Sequence, residues 1–289
     1  MELITPRFFY FYGMSNLLTR ALTGLLFVSL IVFSIIYSEW STLIVFSLFF
    51  LLGTHEYFSL FKKNITIEVR WFLPTLFSSL IFYLLVFGIY FKSEFKLVLC
   101  IISPLVMLIM LSELWRKKTN PLVNMGVHLL GFVYLIVPFY TLIVIRVEEQ
   151  NSVCLLVGMF TLIWSNDTFA YLTGRMFGKT KLFERISPKK TWEGTIGGIF
   201  LTLGIGVLIA YYDQNQGIVF WGIASLLIAP CAIFGDLLES LFKRSLNIKD
   251  SGSILPGHGG ILDRFDAALF TIPFFYCWWT IYAYFWQNF

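Results

Sequence analysis

The chain alternates long apolar runs with short polar breaks, and that alternation decides what it can fold into. A helix needs about 20 apolar residues to cross the hydrocarbon core of a bilayer. Nine such runs stand at positions 21–38, 40–61, 71–91, 95–115, 124–145, 152–174, 194–212, 217–238 and 265–286. Charged residues make up only 13% of the chain, against about 25% in a soluble domain. Backbone groups in lipid must be satisfied within each segment, so the runs must be helical. The expected fold class is an all-α polytopic membrane protein of about nine transmembrane helices. Only Glu39 and its close neighbours separate the first two runs, which predicts a tight helical hairpin. Gly131 and Pro138 predict a kink in the fifth run.

Orientation follows from Lys and Arg, which accumulate in cytoplasmic loops. With the N-terminus inside, eighteen of the 21 basic residues fall in inner segments, and only Lys92, Lys96 and Arg146 in outer ones. The N-terminus is therefore expected in the cytoplasm and the C-terminus outside. Both long polar loops, 175–193 and 239–264, then face the cytoplasm. So do the ionisable residues near the span ends: His55, Glu56, Glu113, His128, Asp167, Asp236 and Glu239. An ionisable group at mid-membrane costs at least ~2.5–3.5 kcal/mol and marks function or pairing. Their convergence on one depth predicts a cytoplasm-facing polar cavity rather than a route through the bilayer. On the other side, Asp213 and Glu39 are expected to be ordinary loop residues. The chain divides into an N-terminal part, 1–150, with about five spans and a C-terminal part, 151–289, with about four spans and both loops. The aromatic cluster at residues 8–12, beside Arg7, is expected at headgroup level. Cys100, Cys154, Cys231 and Cys277 each sit singly in an apolar run, so neither a disulfide frame nor a metal cluster is expected. The small net charge of +4 leaves no footprint for nucleic acid.

The stretch 240–266, SLFKRSLNIKDSGSILPGHGGILDRFD, is polar and Gly-rich between two apolar runs. A positive-inside loop would account for its basic residues, but not for Asp250, Asp263 and Asp266 among four glycines. Asp263 and Asp266 are three residues apart and share a helical face. Asp236 ends the eighth span, where the helix dipole disfavours an anion. Three carboxylates brought together need a cation, and hard oxygen ligands favour Mg²⁺, usually completed by waters and substrate phosphates. Asp263 or Asp266 alone could simply cap a helix start, which leaves Asp236 unexplained. The turn Gly257-His258-Gly259-Gly260 lets backbone N–H groups approach an anion. Together with Lys243, Arg244, Lys249 and Arg264 it reads as a polyphosphate cradle. His258 could donate to a phosphate oxygen, transfer a proton, or serve only the loop.

A third constellation occupies 164–198. Asp167 and Tyr171 face one way at i and i+4. Six basic residues follow Gly174, among them Arg175, Lys189 and Lys190, and the run closes on Ser187-Pro188-Lys189-Lys190-Thr191-Trp192-Glu193-Gly194. A basic loop with an aromatic at the membrane edge suits an anionic lipid. The chain has no Walker-type loop and no dinucleotide fingerprint.

These residues resemble the phosphatidate cytidylyltransferase, or CDP-diacylglycerol synthase, family. Ser240, Lys243, Arg244, Lys249, Asp250, Pro256, His258, Gly259, Gly260, Asp263, Arg264 and Asp266 look like that family's signature. Asp167, Ala170, Tyr171, Gly174, Arg175, Gly178, Lys179 and residues 187–194 are similar to it as well. The likeness covers 164–266, and the N-terminal half resembles the family only at Arg20, Thr23 and Glu56. The resemblance implies that CTP and phosphatidate react to CDP-diacylglycerol and pyrophosphate in phospholipid biosynthesis. It also implies divalent-cation dependence, with Asp236, Asp263 and Asp266 as the ligand set, and suggests a homodimer.

The expected roles follow. The lipid phosphate attacks the α-phosphorus of CTP in line, and positioning with charge neutralisation carries the chemistry. Asp236, Asp263 and Asp266 hold Mg²⁺, with room for a second cation. Lys243, Arg244, Lys249 and Arg264 neutralise the triphosphate and leaving group. Arg175, Lys189 and Lys190 meet the lipid phosphate or complete the nucleotide site. Asp167, Ser187, Thr191, Glu193, Asp250, Gly259 and Gly260 complete the substrate-binding set, and His258 stands with the catalytic residues. The attacking phosphate is already anionic near neutral pH, so no strong general base is required. The expected location is the inner or plasma membrane of a bacterium, with the site facing the cytoplasm. Two other classes share these features. A CTP-dependent polyprenol kinase would transfer the γ-phosphate instead. An ion transporter would need polar groups through the outer half, where they are sparse.

Overall fold

The computed structural model describes residues 16–63, 67, 69, 71–92, 95–116, 120–213, 215–254 and 259–286. The aromatic cluster at 8–12 and His258 lie outside the described residues. Each expected apolar run is a helix: α1 Asn16–Tyr37, α2 Glu39–Leu60, α3 Phe72–Tyr90, α4 Phe95–Arg116, α5 Pro121–Glu148, α6 Ser152–Phe177, α7 Trp192–Tyr212, α8 Gly217–Ser245 and α9 Leu262–Trp286. Among the described residues, six of them (α2, α3, α5, α6, α7 and α8) are long and apolar enough to cross a membrane. Leu48, Leu76, Phe200, Leu208, Tyr211 and Leu226 lie exposed on their outward faces. So much open apolar surface suits lipid rather than water. The protein is a polytopic membrane protein.

Local chemistry explains the joints. Ser38 alone separates α1 from α2. Its Oγ accepts from the Ser41 N–H at 3.0 Å while Ser41 Oγ accepts from the Ser38 N–H at 3.0 Å, a reciprocal cap that fixes the hairpin. Within α5, Pro138 has no N–H to offer the carbonyl four residues back. The helix answers with a π-helical stretch at Phe132–Ile136, where a kink was expected. All four cysteines are free.

The all-α expectation needs one amendment. Within the loop at 175–193, β1 Lys181–Phe183 and β2 Ser187–Thr191 pair antiparallel, with Lys181 opposite Thr191 and Phe183 opposite Ser187. The strands are too short, and too charged, for alternation to announce them in the sequence.

Two helix boundaries also move. The eighth helix runs to Ser245, not to 238, so Asp236 is an interior residue and Lys243 and Arg244 occupy the last turn. The dipole argument that a cation must offset Asp236 at a helix C-terminus therefore falls. α9 starts at Leu262, which puts Asp263 in its first turn. Between the two aspartates of α9, Phe265 is 1% exposed. Its ring lies 5.5 Å from Phe27 of α1, 5.2 Å from Phe49 of α2 and 5.5 Å from Phe139 of α5, centroid to centroid. This aromatic knot fixes the rotation of α9, so Asp263 and Asp266 have one orientation available. Gly235 brings α8 against the same helix. A Cβ there would stand 2.7 Å from the Asp266 carbonyl oxygen and 2.9 Å from Phe270 Cβ.

At the opposite end of these helices Asp213 is no ordinary loop residue. It is 3% exposed. Its carboxylate accepts from Asn151 Nδ2 at 2.9 Å, Trp221 Nε1 at 2.8 Å and the Asn215 N–H at 3.1 Å. A buried charge demands such partners, and here they tie the ends of α6, α7 and α8. The Trp221 indole in turn lies on Gly158 of α6, where an added Cβ would overlap the ring. Gly158→Ala is expected to destabilise the protein by about 1–3 kcal/mol through overpacking. Gly204→Ala, with nothing within 4 Å of its Cβ, should be neutral. Thermal unfolding of both variants in detergent checks the pair.

Candidate functional site

The antiparallel order of the last four helices puts the C-terminal ends of α6 and α8 beside the N-terminal ends of α7 and α9. At this end the charged side chains form two linked groups.

The first group centres on Asp236 and Asp266. Asp236 Oδ2 pairs with Lys190 Nζ of β2 at 2.5 Å, and its Oδ1 accepts from Ser240 Oγ at 3.2 Å. Lys190 Nζ also donates to the Ile233 carbonyl at 3.4 Å. Asp266 lies within electrostatic range of the carboxylates of Asp236, Glu239 and Asp167, and its Oδ1 accepts from the Ala267 N–H at 2.7 Å. Asp167 interacts with both Lys190 and Asp236. Lys190 thus serves two carboxylates, Asp236 and Asp167, held within electrostatic reach of each other.

The second group centres on Lys243. It bridges Glu239, one turn back on α8, and Asp263 Oδ1, the latter at 2.7 Å. Asp263 Oδ2 accepts from the Ser251 N–H at 2.9 Å, Ser251 Oγ at 3.0 Å and the Gly260 N–H at 2.8 Å. Both oxygens of Asp263 are therefore occupied by donors, and it acts as the anchor of the loop ahead of α9. Gly259 in that loop takes φ +82°, a backbone that favours glycine, and a Cβ there would lie 2.5 Å from Asp263 Oδ2.

The remaining predicted residues sit around these groups. Thr191 Oγ1 accepts from the Gly194 N–H at 3.2 Å and caps α7. Glu193 accepts from the backbone N–H groups of Lys179 at 3.0 Å and Thr180 at 3.1 Å, closing the base of the hairpin. Arg244 donates to the Ile248 carbonyl at 3.2 Å. Arg175, Lys189, Lys249, Asp250 and Arg264 are exposed, Ser187 is half-buried, and Gly260 is buried. Glu239, Ser251 and Glu56 join the cluster without having been singled out as site residues. Glu239 stands four residues before Lys243, an i,i+4 pairing that local reasoning could have found. In the sequence Glu56 reads as an ionisable residue near a span end, and the long-range partners of Glu56 and Ser251 carry no local signal.

Among the described residues no three His, Cys, Asp or Glu side chains close round a single metal position. The donor chemistry still suits a magnesium ion in part. Asp236 and Asp266 are neighbouring hard-oxygen donors in a local excess of negative charge, and Mg²⁺ takes few protein ligands where substrate phosphates and waters supply the rest.

Comparison with known proteins decides the family. A model of the cytidylyltransferase family matches residues 18–282. The chain belongs to the cytidylyltransferase family. It is similar to the phosphatidate cytidylyltransferase of Rickettsia prowazekii (strain Madrid E), 41% identical over 191 residues that span 63% of this chain and 81% of that protein. The phosphatidate cytidylyltransferase of Bacillus subtilis (strain 168) is 38% identical over 172 residues, 59% of this chain and 64% of that protein. That of Staphylococcus aureus (strain COL) is 49% identical over 115 residues, 39% of this chain and 44% of that protein. For a cytidylyltransferase the two groups have a natural division of labour. The acidic side chains beside Lys190 form one group, and the Lys243 bridge holds Asp263 and the loop ahead of α9.

Proposed function

We propose that the protein is a phosphatidate cytidylyltransferase, converting CTP and phosphatidate to CDP-diacylglycerol and pyrophosphate. One observation carries this reading: Asp236, Asp266, Asp167 and Lys190 meet at one end of a membrane helix bundle, in a chain similar to enzymes of that name. Phosphatidate lies with its tails in the bilayer and its phosphate at this end. A phosphate oxygen forms a bond to the α-phosphorus of CTP as the bond from that phosphorus to the bridging oxygen of the β-phosphate breaks. The electron pair leaves with pyrophosphate. Asp236 and Asp266 would hold Mg²⁺, which when bound neutralises phosphate charge. Lys190 holds the Asp236 carboxylate in place. Arg175, Lys189, Lys249 and Arg264, exposed around the cluster, offer cations to the triphosphate and the lipid headgroup.

The basic end faces the cytoplasm, because Arg175, Lys179, Lys181, Arg185 and Lys189 sit there. With nine crossings this leaves the N-terminus inside and the C-terminus outside. Incubation with phosphatidate, Mg²⁺ and CTP labelled at the α-phosphate tests the reaction. Label is expected in the lipid. Label reaching lipid from γ-labelled CTP instead would identify a kinase.

A further inference from the structure

Glu56 stands on α2, in the half of the chain that carries neither signature stretch, and is 4% exposed. Its Oε2 accepts a hydrogen bond of 2.8 Å from the backbone N–H of Leu262, the first residue of α9 and the neighbour of Asp263. Ser251 and Ile261 interact with the same carboxylate. A Cβ on Gly252 or on Gly260 would overlap it, so the loop closes on the carboxylate at two glycines. The first N–H groups of a helix have no partner within it, and an anion placed there is favoured by the dipole. α9 has two such anions. Asp263 belongs to its own first turn, whereas Glu56 comes from 206 residues away. What Glu56 supplies is an acceptor that reaches one of these backbone amides from another helix.

We infer that Glu56 is a positioning residue for the transfer reaction. It clamps the loop formed by Ser251, Gly252, Gly260 and Ile261. Through that loop it sets where Asp263 meets Lys243 and where α9 begins its descent to Asp266. The inference rests on the transferase reading, and it gives the N-terminal half a part in catalysis.

The test uses the full-length protein in detergent with E56A, E56Q, G260A and E56A/G260A. Turnover is measured with phosphatidate, Mg²⁺ and α-labelled CTP, and hydrogen exchange is followed in a peptide covering residues 259–266. E56A is expected to lower kcat by roughly ten- to a hundredfold, the scale of a small misplacement of reacting groups. Exchange at the start of α9 should rise while α6 is unchanged. E56Q keeps the shape and the acceptor and should stay within about threefold of wild type, since a neutral acceptor still takes the Leu262 N–H. G260A should match E56A, and the double variant should be no worse than either single, because the overlap vanishes with the carboxylate. Wild-type kcat in E56A, unchanged exchange at α9, or losses that multiply in the double variant would overturn the inference. If E56A does not fold, G260A and E56Q decide: an impaired G260A beside an active E56Q supports the clamp, and any other pairing overturns it. A wild-type protein that makes no CDP-lipid defeats the transferase reading alone, since the exchange result still judges the clamp.

Discussion

Asp266→Asn is expected to lower CDP-lipid formation by roughly 10²–10³-fold, the scale of losing one preorganised electrostatic contact in a desolvated site. The same variant should be no less stable than wild type. Asp266 lies within electrostatic range of the carboxylates of Asp236, Glu239 and Asp167, and like charges brought together repel. Removing one of them relieves repulsion while leaving size and shape intact. Activity and stability therefore part company, which a merely structural carboxylate would not allow. Label transfer from α-labelled CTP and thermal unfolding in detergent check the two halves. Near-normal transfer would remove Asp266 from the site. A large drop in unfolding temperature would show that its charge is offset by something other than the cation and substrate proposed for it.

Lys243→Met should behave in the opposite way on stability. Its ammonium is the cation shared by Glu239 and Asp263, and all three side chains are largely buried. Removing one partner from a buried ionic group leaves uncompensated charge and costs about 3–5 kcal/mol. Activity falls with it, because Asp263 loses the partner of Oδ1 and the loop ahead of α9 loses its anchor. Adding Glu239→Gln should restore part of the stability and little of the activity, a non-additivity that a double-mutant cycle measures. Arg244→Ala is the contrast. That side chain is exposed and donates only to the Ile248 carbonyl among the described contacts. It should leave unfolding unchanged and raise the KM for CTP. Equal unfolding temperatures for wild type and Lys243→Met would mean that the bridge is not the keystone of this end of the bundle.

Much of this was legible in the residues. The apolar runs announced every helix, because a span needs a minimum length of apolar side chains whatever its neighbours are. The polar stretch at 240–266 announced a gathering of charges, because so many of them between two spans demand partners. The grouping of those charges was not legible. Asp236, Asp263 and Asp266 read as one ligand set, yet Asp263 is turned to Lys243, Ser251 and Gly260 while Asp236 and Asp266 keep company with Asp167 and Lys190. Helical spacing put Asp263 and Asp266 on one face. It could not say that a lysine on the next helix would claim the first of them.

By itself, the sequence determined the membrane class, the helices and the two polar stretches between them, since these follow from local hydropathy and composition. The tertiary structure alone decided that α8 runs on past Asp236, that 181–191 folds as a hairpin delivering Lys190, and that Glu56 closes on the start of α9. Each of these depends on which helices lie side by side. A backbone amide and a carboxylate 206 residues apart leave no trace in either local pattern; they meet only because the packing of Phe265 among α1, α2 and α5 fixes how α9 is turned.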